Sequence, residues 1–265
     1  MPAPDSSSTV TYTYTPSNFL SSETQKKPFS TLLILNQPIA HFATFARLWE
    51  HAGYRICADG GANRLFDMFD GELSAQREKY LPDSVHGDLD SLRDDVRAYY
   101  SAHGVEISQD PSQESTDFGK TMQKIAARVV SSSPVPVDSV ENVIVLGTLG
   151  GRVDQAISIL HNMLVEETNH AHLRLWLFSE ASVSFILRRG RHVLRALQSS
   201  ELFTENVGLV PIYGRAVIST QGLEWDVKHW DTFIGGNVSS SNHVKADEVW
   251  VETNEPILFT VERAL

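Results

Sequence analysis

The sequence predicts an α/β N-terminal domain with a mostly parallel sheet, followed by an all-β, sandwich-like C-terminal domain. Three observations lead there. Up to about residue 170, short apolar runs alternate with segments of helical period, the pattern of successive βα units. Beyond it the segments are short and β-prone, punctuated by turns such as Tyr213-Gly214-Arg215 and Asn254-Glu255-Pro256. The length, 265 residues with 42% hydrophobic and 21% charged, suits one large domain or two medium ones and excludes a disordered chain.

The elements follow in order. Residues 1–30 are rich in Ser, Thr and Pro and read as a flexible arm. Thr31-Leu32-Leu33-Ile34-Leu35 suits a strand buried on both faces. Phe42, Phe45 and Trp49 then mark a helix, and Tyr54–Ala58 a second strand ending at Asp59-Gly60-Gly61. Ser84-Val85-His86 is a weaker strand ending at Gly87-Asp88-Leu89-Asp90; Ser91 and Asp94 have capping-box spacing ahead of a helix with Val96, Tyr99 and Tyr100. A helix starting near Ser115-Thr116 carries Phe118, Met122, Ile125 and Val129 on one face, and Ser131–Pro136 reads as a surface loop. Val143–Leu146 is the clearest strand, joined by Gly147-Thr148-Leu149-Gly150-Gly151 to a helix with Ile157, Leu160 and Leu164. The expected domains are therefore residues 31–170 and 171–265, the second opening with Leu173–Phe178.

Composition narrows the partners. Lys and Arg number 22 against 33 Asp and Glu, a net charge of −11. No basic excess exists to displace the counterions of a polyanion, so no nucleic acid partner is expected. The single cysteine, Cys57, rules out a disulfide framework. No apolar run approaches the roughly 20 residues needed to cross a bilayer, and the start lacks the order of a signal peptide. The expectation is a cytoplasmic protein without a membrane partner.

Ligands of open α/β sheets sit beyond the carboxyl ends of the strands. Asp59, the pair Asp88 and Asp90, and Asp154 after the glycine turn all fall there, and Asp117 lies in the first turn of its helix. Carboxylates converging in one cleft repel unless a cation sits among them, and hard oxygen donors favour Mg²⁺. Each Asp taken singly is equally at home as a cap or turn residue. In Gln113–Lys120, the hydroxyl of Thr116 and the ammonium of Lys120 share a helix face with Asp117 near free N–H groups, which makes a phosphate site or a solvated capped helix. The turn ending at Arg152 is neither a P-loop nor a dinucleotide fingerprint. In the β half, Trp225 suits either a stacking platform or a core or edge position, and Val238-Ser239-Ser240-Ser241-Asn242 either a polar pocket wall or a loop.

Four motifs occur in order: Ala58-Asp59-Gly60-Gly61-Ala62-Asn63-Arg64, Gly87-Asp88-Leu89-Asp90-Ser91, Ser115-Thr116-Asp117-Phe118-x-Lys120 and Gly150-Gly151-Arg152-x-Asp154-Gln155. With Gly222-Leu223-x-Trp225 and Val238–Asn242 they resemble the thiamine pyrophosphokinase family, in a fungal style, over about residues 31–265. The resemblance implies transfer of pyrophosphate from ATP to the thiamine hydroxyl, yielding thiamine diphosphate and AMP. It implies Mg²⁺ on Asp88, Asp90 and Asp117, and ATP phosphates on Gln113, Thr116 and Lys120 with Arg152 assisting. Asp59 and Asp154 would complete the acidic cleft, one of them orienting the attacking hydroxyl. Trp225 would stack on thiamine with Ser239, Ser241 and Asn242 nearby. A homodimer with sites shared between chains is also implied. Two departures are visible: Gly119 where other members often carry a larger residue, and Gln155 where bacterial members often carry His. The rival readings are a phosphohydrolase built on Asp88-x-Asp90 and a non-catalytic nucleotide or thiamine sensor.

Overall fold

The computed structural model describes residues 11–21, 30–132 and 140–264. The chain divides into two compact units, Phe19–Ala181 and Met1–Asn18 with Ser182–Leu265.

The first described strand, β1 (Thr11–Tyr14), belongs to the second unit. The α/β unit then runs β2 (Ser30–Ile34), α1 (Phe42–His51), β3 (Tyr54–Ala58), α2 (Gly61–Met68), a 3-10 stretch Gly71–Lys79, β4 (Ser84–Gly87), α3 (Asp94–Ala102), β5 (Glu106–Gln109), α4 (Asp117–Ser132), β6 (Glu141–Leu146), α5 (Val153–Asn169) and β7 (Leu173–Phe178). Its strands are all parallel, in the order β7-β6-β2-β3-β4-β5. From β2 the chain winds outward through β3, β4 and β5, then returns through α4 to place β6 on the other side of β2. The order reverses between β2 and β6, which makes the carboxyl ends of these strands the switch point where such sheets bind ligands.

The central strands are apolar for a physical reason: helices cover the sheet, so Leu32, Leu33, Ile34, Ile56, Cys57, Val143 and Val145 are all fully buried. Phe118, Met122, Ile125 and Val129 of α4 are buried together, as their spacing predicted. At the start of α2, a Cβ on Gly61 would lie 2.2 Å from the carbonyl oxygen of Ile34. Only glycine lets this helix approach the end of β2 so closely.

The second unit holds β8 (Ser182–Leu187), β9 (Gly190–Arg195), β10 (Phe203–Val210), β11 (Ala216–Gln221), β12 (Trp230–Thr232), β13 (Ser239–His243), β14 (Glu248–Thr253) and β15 (Ile257–Arg263). One sheet runs β1-β9-β14-β11-β12; the other group runs β13-β10-β15-β8. Pairings are antiparallel except β1 with β9. Along β14, Val249, Val251 and Thr253 are buried while Glu248, Trp250 and Glu252 are exposed, the alternation of a sandwich strand. Tyr14 of β1 stacks on Phe185 of β8 at 5.0 Å between ring centroids, across the two layers.

Several expectations are corrected. The arm assigned to residues 1–30 is ordered over 11–21: Thr11-Tyr12-Thr13-Tyr14 alternates with period two and adds a strand, and Tyr14, Phe19 and Leu20 are buried. The remaining arm residues, 1–10 and 22–29, lie outside the described residues. Leu173–Phe178 opens no β domain; it pairs parallel with β6 and completes the α/β sheet, so the boundary falls at Ala181 and not at residue 170. Strand β5 and the 3-10 stretch had no expected counterpart. The capping box does not form: α3 starts after Arg93 without a side-chain cap, and Ser91 Oγ donates to Asp90 instead. Of the loop expected over Ser131–Pro136, Ser131 and Ser132 end α4 and the rest lies outside the described residues.

Candidate active site

Three loops at the carboxyl ends of β2, β3 and β6, with the start of α4 and one face of α5, enclose a cleft of about 430 Å³, a volume ordinary for a small-molecule site. Leu35, Asn36, Gln37, Asp59, Gly60, Thr116, Asp117, Gly147, Arg152, Gln155, Ser158 and Asn162 are among its lining residues.

Carboxylate oxygens of Asp59, Asp88 and Asp117 lie within 4.8 Å of one another. The backbone is bent to bring them together. Asp59 has φ 41° and Leu89 φ 65°, left-handed values uncommon for residues other than glycine and typical of functional turns. Gly87 has φ 152°, and a Cβ there would lie 2.8 Å from Asp117 Oδ1, so glycine opens the space into which Asp117 fits. The Asp88 N–H donates to Asp117 Oδ1 at 3.1 Å, and the Ser91 N–H to Asp59 Oδ2 at 3.2 Å. Asp59 is 3% exposed, and its Oδ1 is buried with no hydrogen-bond partner. Burial, and next the charge of Asp117, hold the Asp59 carboxyl above the ordinary range. An orphaned buried oxygen beside two further carboxylates is a donor set that a hard divalent cation such as Mg²⁺ fits.

Lys120 lies against the same group. Its Nζ is 2.9 Å from Asp88 Oδ2 and 3.6 Å from Asp117 Oδ1, and its side chain is 2% exposed. Burial works against its charge, but the hydrogen bond to Asp88 and the nearby carboxylates leave its pKa raised. The same bond holds Asp88 below the usual carboxylate range.

The other expected residues are distributed as follows. Thr116 lines the cleft and caps α4, its Oγ1 accepting the Gly119 N–H at 3.2 Å. Arg152 also lines it, held by Asp154 through two bonds of 3.1 and 2.6 Å. Asp90 is exposed; its Oδ1 accepts from Ser91 Oγ at 3.0 Å and it stands outside the converging trio. Asp154 is exposed and its carboxylate is occupied by Arg152, which keeps it below the ordinary range. Gln113 is exposed, its Nε2 at 3.5 Å from the Pro111 carbonyl, and does not line the cleft. Lys120, expected on the phosphates, is spent on Asp88 and Asp117.

In the β unit, Trp225 is 55% exposed, which excludes a core position and is met equally by an edge position and a stacking platform. Ser239 is half-buried, Ser241 is exposed with φ 56°, and Asn242 is 3% exposed. The Asn242 side chain bonds both main-chain groups of Trp225.

Sequence reasoning missed Asn36, Gln37, Asn63, Ser158 and Asn162. Asn36 and Gln37 follow β2 directly, so the strand-end rule that selected Asp59 also covers them. Asn36 Oδ1 accepts from Arg64, and Gln37 Nε2 donates to the Gly150 carbonyl at 2.8 Å, joining the loops after β2 and β6. Asn63 ties α2 to the loop after β4 through the Ser91 carbonyl and the Arg93 N–H. Ser158 and Asn162 are four residues apart on the cleft side of α5.

Known proteins are similar to this chain in sequence and fold. A family model described as Thiamin pyrophosphokinase, catalytic domain, matches residues 45–176, and another, Thiamin pyrophosphokinase, vitamin B1 binding domain, matches residues 191–258. Thiamine pyrophosphokinase 3 of Oryza sativa subsp. japonica is 33% identical over 87% of this chain and 85% of its own length. Thiamine pyrophosphokinase of Saccharomyces cerevisiae is 31% identical, covering 88% and 85%. Among solved structures, thiamin pyrophosphokinase from Candida albicans superposes with a TM-score of 0.83 at 27% identity, covering 96% of this chain and 93% of that one. The yeast thiamin pyrophosphokinase crystal structure gives 0.84 at 28%, covering 96% and 91%.

Proposed function

This chain belongs to the thiamine pyrophosphokinase family, and on that premise we propose how its side chains carry the reaction. The enzyme transfers a pyrophosphoryl group from ATP to thiamine. The thiamine hydroxyl oxygen bonds to the β-phosphorus while the bond from that phosphorus to the oxygen shared with the α-phosphate breaks. The electron pair leaves on AMP, and the hydroxyl proton is lost to a base.

Such a transfer needs positioning and charge neutralisation more than covalent help. The observation that carries the assignment is the convergence of Asp59, Asp88 and Asp117 at the carboxyl ends of β3 and β4 and the start of α4, with Asp59 Oδ1 lacking a hydrogen-bond partner. These three would hold Mg²⁺, and Asp90, whose Oδ1 accepts from Ser91 Oγ, would join them only by leaving that bond. The cation would neutralise charge on the transferred phosphates. Lys120 acts beneath the carboxylates as their internal counter-charge. Thr116 and Arg152 line the cleft together with Asp117 and Phe118 at the start of α4 and suit ATP phosphates. Gln113 reaches them only by leaving Pro111. Of the two carboxylates that could orient the hydroxyl, Asp154 is engaged by Arg152 and Asp59 belongs to the trio that would hold Mg²⁺.

Trp225, 55% exposed with the His243 ring centroid 5.1 Å from its own, would stack on thiamine, whose thiazolium is a permanent cation. Ser239, whose Oγ accepts from the Asn242 amide, and Ser241 would offer hydroxyls from the strand that carries Asn242. We further propose a homodimer in which the acidic cleft of one chain works with the Trp225 segment of the other. No described helix is long and apolar enough to cross a membrane, and the one cysteine, buried and free, suits a cytoplasmic setting.

Turnover of thiamine with ATP tests the site. Chelation by EDTA should abolish it and added Mg²⁺ restore it; full turnover in EDTA would refute the acidic trio as a metal site. Phosphate release from ATP without thiamine would favour a hydrolase.

A further inference from the structure

An exposed tryptophan serves as a platform only if its main chain is held still, and Trp225 is held from two sides. It sits in the turn between β11 and β12. On one side the Asp226 carboxylate gathers the turn: Oδ1 accepts from Thr220 Oγ1 at 2.9 Å and from the Leu223 N–H at 3.1 Å, and Oδ2 from the Gly222 N–H at 2.9 Å. Thr220 Oγ1 accepts in turn from the Val227 N–H at 3.0 Å. On the other side, Asn242 Oδ1 accepts from the Trp225 N–H at 3.2 Å and the His243 N–H at 2.8 Å. Its Nδ2 donates to the Trp225 carbonyl at 3.1 Å and to Ser239 Oγ at 3.3 Å. Both main-chain groups of Trp225 are thus bound by one side chain. Asn242 has used both lone pairs and both amide hydrogens, so it has none left for a ligand.

Resting on the reading that Trp225 stacks on thiamine, we propose that Asn242 and Asp226 are positioning residues that preform this platform. Neither touches the substrate; both act through Trp225. The ordering entropy of the turn is then lost on folding and not on binding, which strengthens capture of a flat cation. This reverses the expected role of Asn242 as a direct thiamine contact and gives Asp226, next to Trp225 in sequence, a function.

The test compares Trp225→Ala, Asp226→Ala, Asn242→Ala and the doubles Trp225→Ala/Asp226→Ala and Trp225→Ala/Asn242→Ala, with steady-state kinetics for both substrates. Cation–π stacking corresponds to a factor of about 5 to 30 in affinity. Each single variant should raise the thiamine KM toward that range and leave the ATP KM unchanged, with Asp226→Asn, which keeps one acceptor oxygen, intermediate. Each double should be no worse than Trp225→Ala alone, because nothing remains to position. Asn242 is buried, so its variant is followed by melting; Asp226 is exposed, and its variant carries the test if Asn242→Ala unfolds. A raised thiamine KM in Trp225→Ala with normal values in Asp226→Ala and Asn242→Ala would overturn the inference alone. Losses that multiply in the doubles would overturn it by giving these residues substrate contacts of their own. No change in Trp225→Ala would overturn the stacking and the inference together.

Discussion

Lys120 Nζ lies 2.9 Å from Asp88 Oδ2, a buried ammonium bonded to a carboxylate that also faces Asp59 and Asp117. The cleft is therefore not a bare acidic pocket. One fixed positive charge lets three carboxylates approach without a metal and leaves net negative charge for one.

Removing that charge tests the relationship. Lys120→Met should destabilise the metal-free protein by about 3 kcal/mol, the low end for breaking a buried pair, because Asp88 is left uncompensated but is partly exposed. Mg²⁺ should recover part of the loss, giving a larger metal-induced rise in melting temperature than in the parent. Melting curves that match the parent with and without Mg²⁺ would refute the counter-charge role.

Asp59 makes the opposite prediction. Its folded-state pKa is raised, first by burial and then by Asp117. Ionised Asp59 therefore costs stability at neutral pH, and the cost disappears as pH falls through the raised value. Asp59→Asn cannot ionise. The metal-free variant should melt about 2–4 °C higher than the parent near neutral pH, with the gap closing toward about pH 4, while activity falls steeply. A gap that is constant across the range would show that the effect is not charge.

Asp88→Asn should lower turnover by about 10³-fold, the size expected for losing transition-state charge stabilisation, and should also lower the melting temperature of the metal-free protein, because buried Lys120 loses its closest carboxylate. Near-normal activity with unchanged Mg²⁺ dependence would remove Asp88 from the site.

Much of this site was legible in the sequence, and for identifiable reasons. A buried parallel strand must be apolar, so an Asp or Asn directly after it stands at the ligand-binding edge; Asp59 and Asp88 were found this way, and Asn36 was open to the same reading. The helical spacing from Asp117 to Lys120 was visible, but the Asp88 partner is 32 residues away, and no local pattern encodes that contact. Asn242 and Trp225 are likewise 17 residues apart. Strand β7 was legible as a strand, whereas its parallel pairing with β6 depends on chain path and not on its own residues. Thr11–Tyr14 was hidden by the surrounding Ser, Thr and Pro, although its alternation carries the strand period.

The shared site of the proposed homodimer has its own signature. Assayed with thiamine well below the raised KM of Trp225→Ala, Asp88→Asn should be inactive and Trp225→Ala crippled as homodimers. Co-expressed with different tags, about half of randomly assorted dimers are mixed, and each has one site with both defects and one with neither. About a quarter of parental activity should return in the mixture. Purified mixed dimers as inactive as the parents would place the whole site within one chain.

The most direct measurement is product stoichiometry by mass spectrometry after incubation with ATP, Mg²⁺ and thiamine. Attack at the β-phosphorus predicts AMP and thiamine diphosphate in equal amounts, with no free thiamine monophosphate and both products formed about 10³-fold more slowly by Asp88→Asn. ADP appearing in step with thiamine monophosphate would contradict the account.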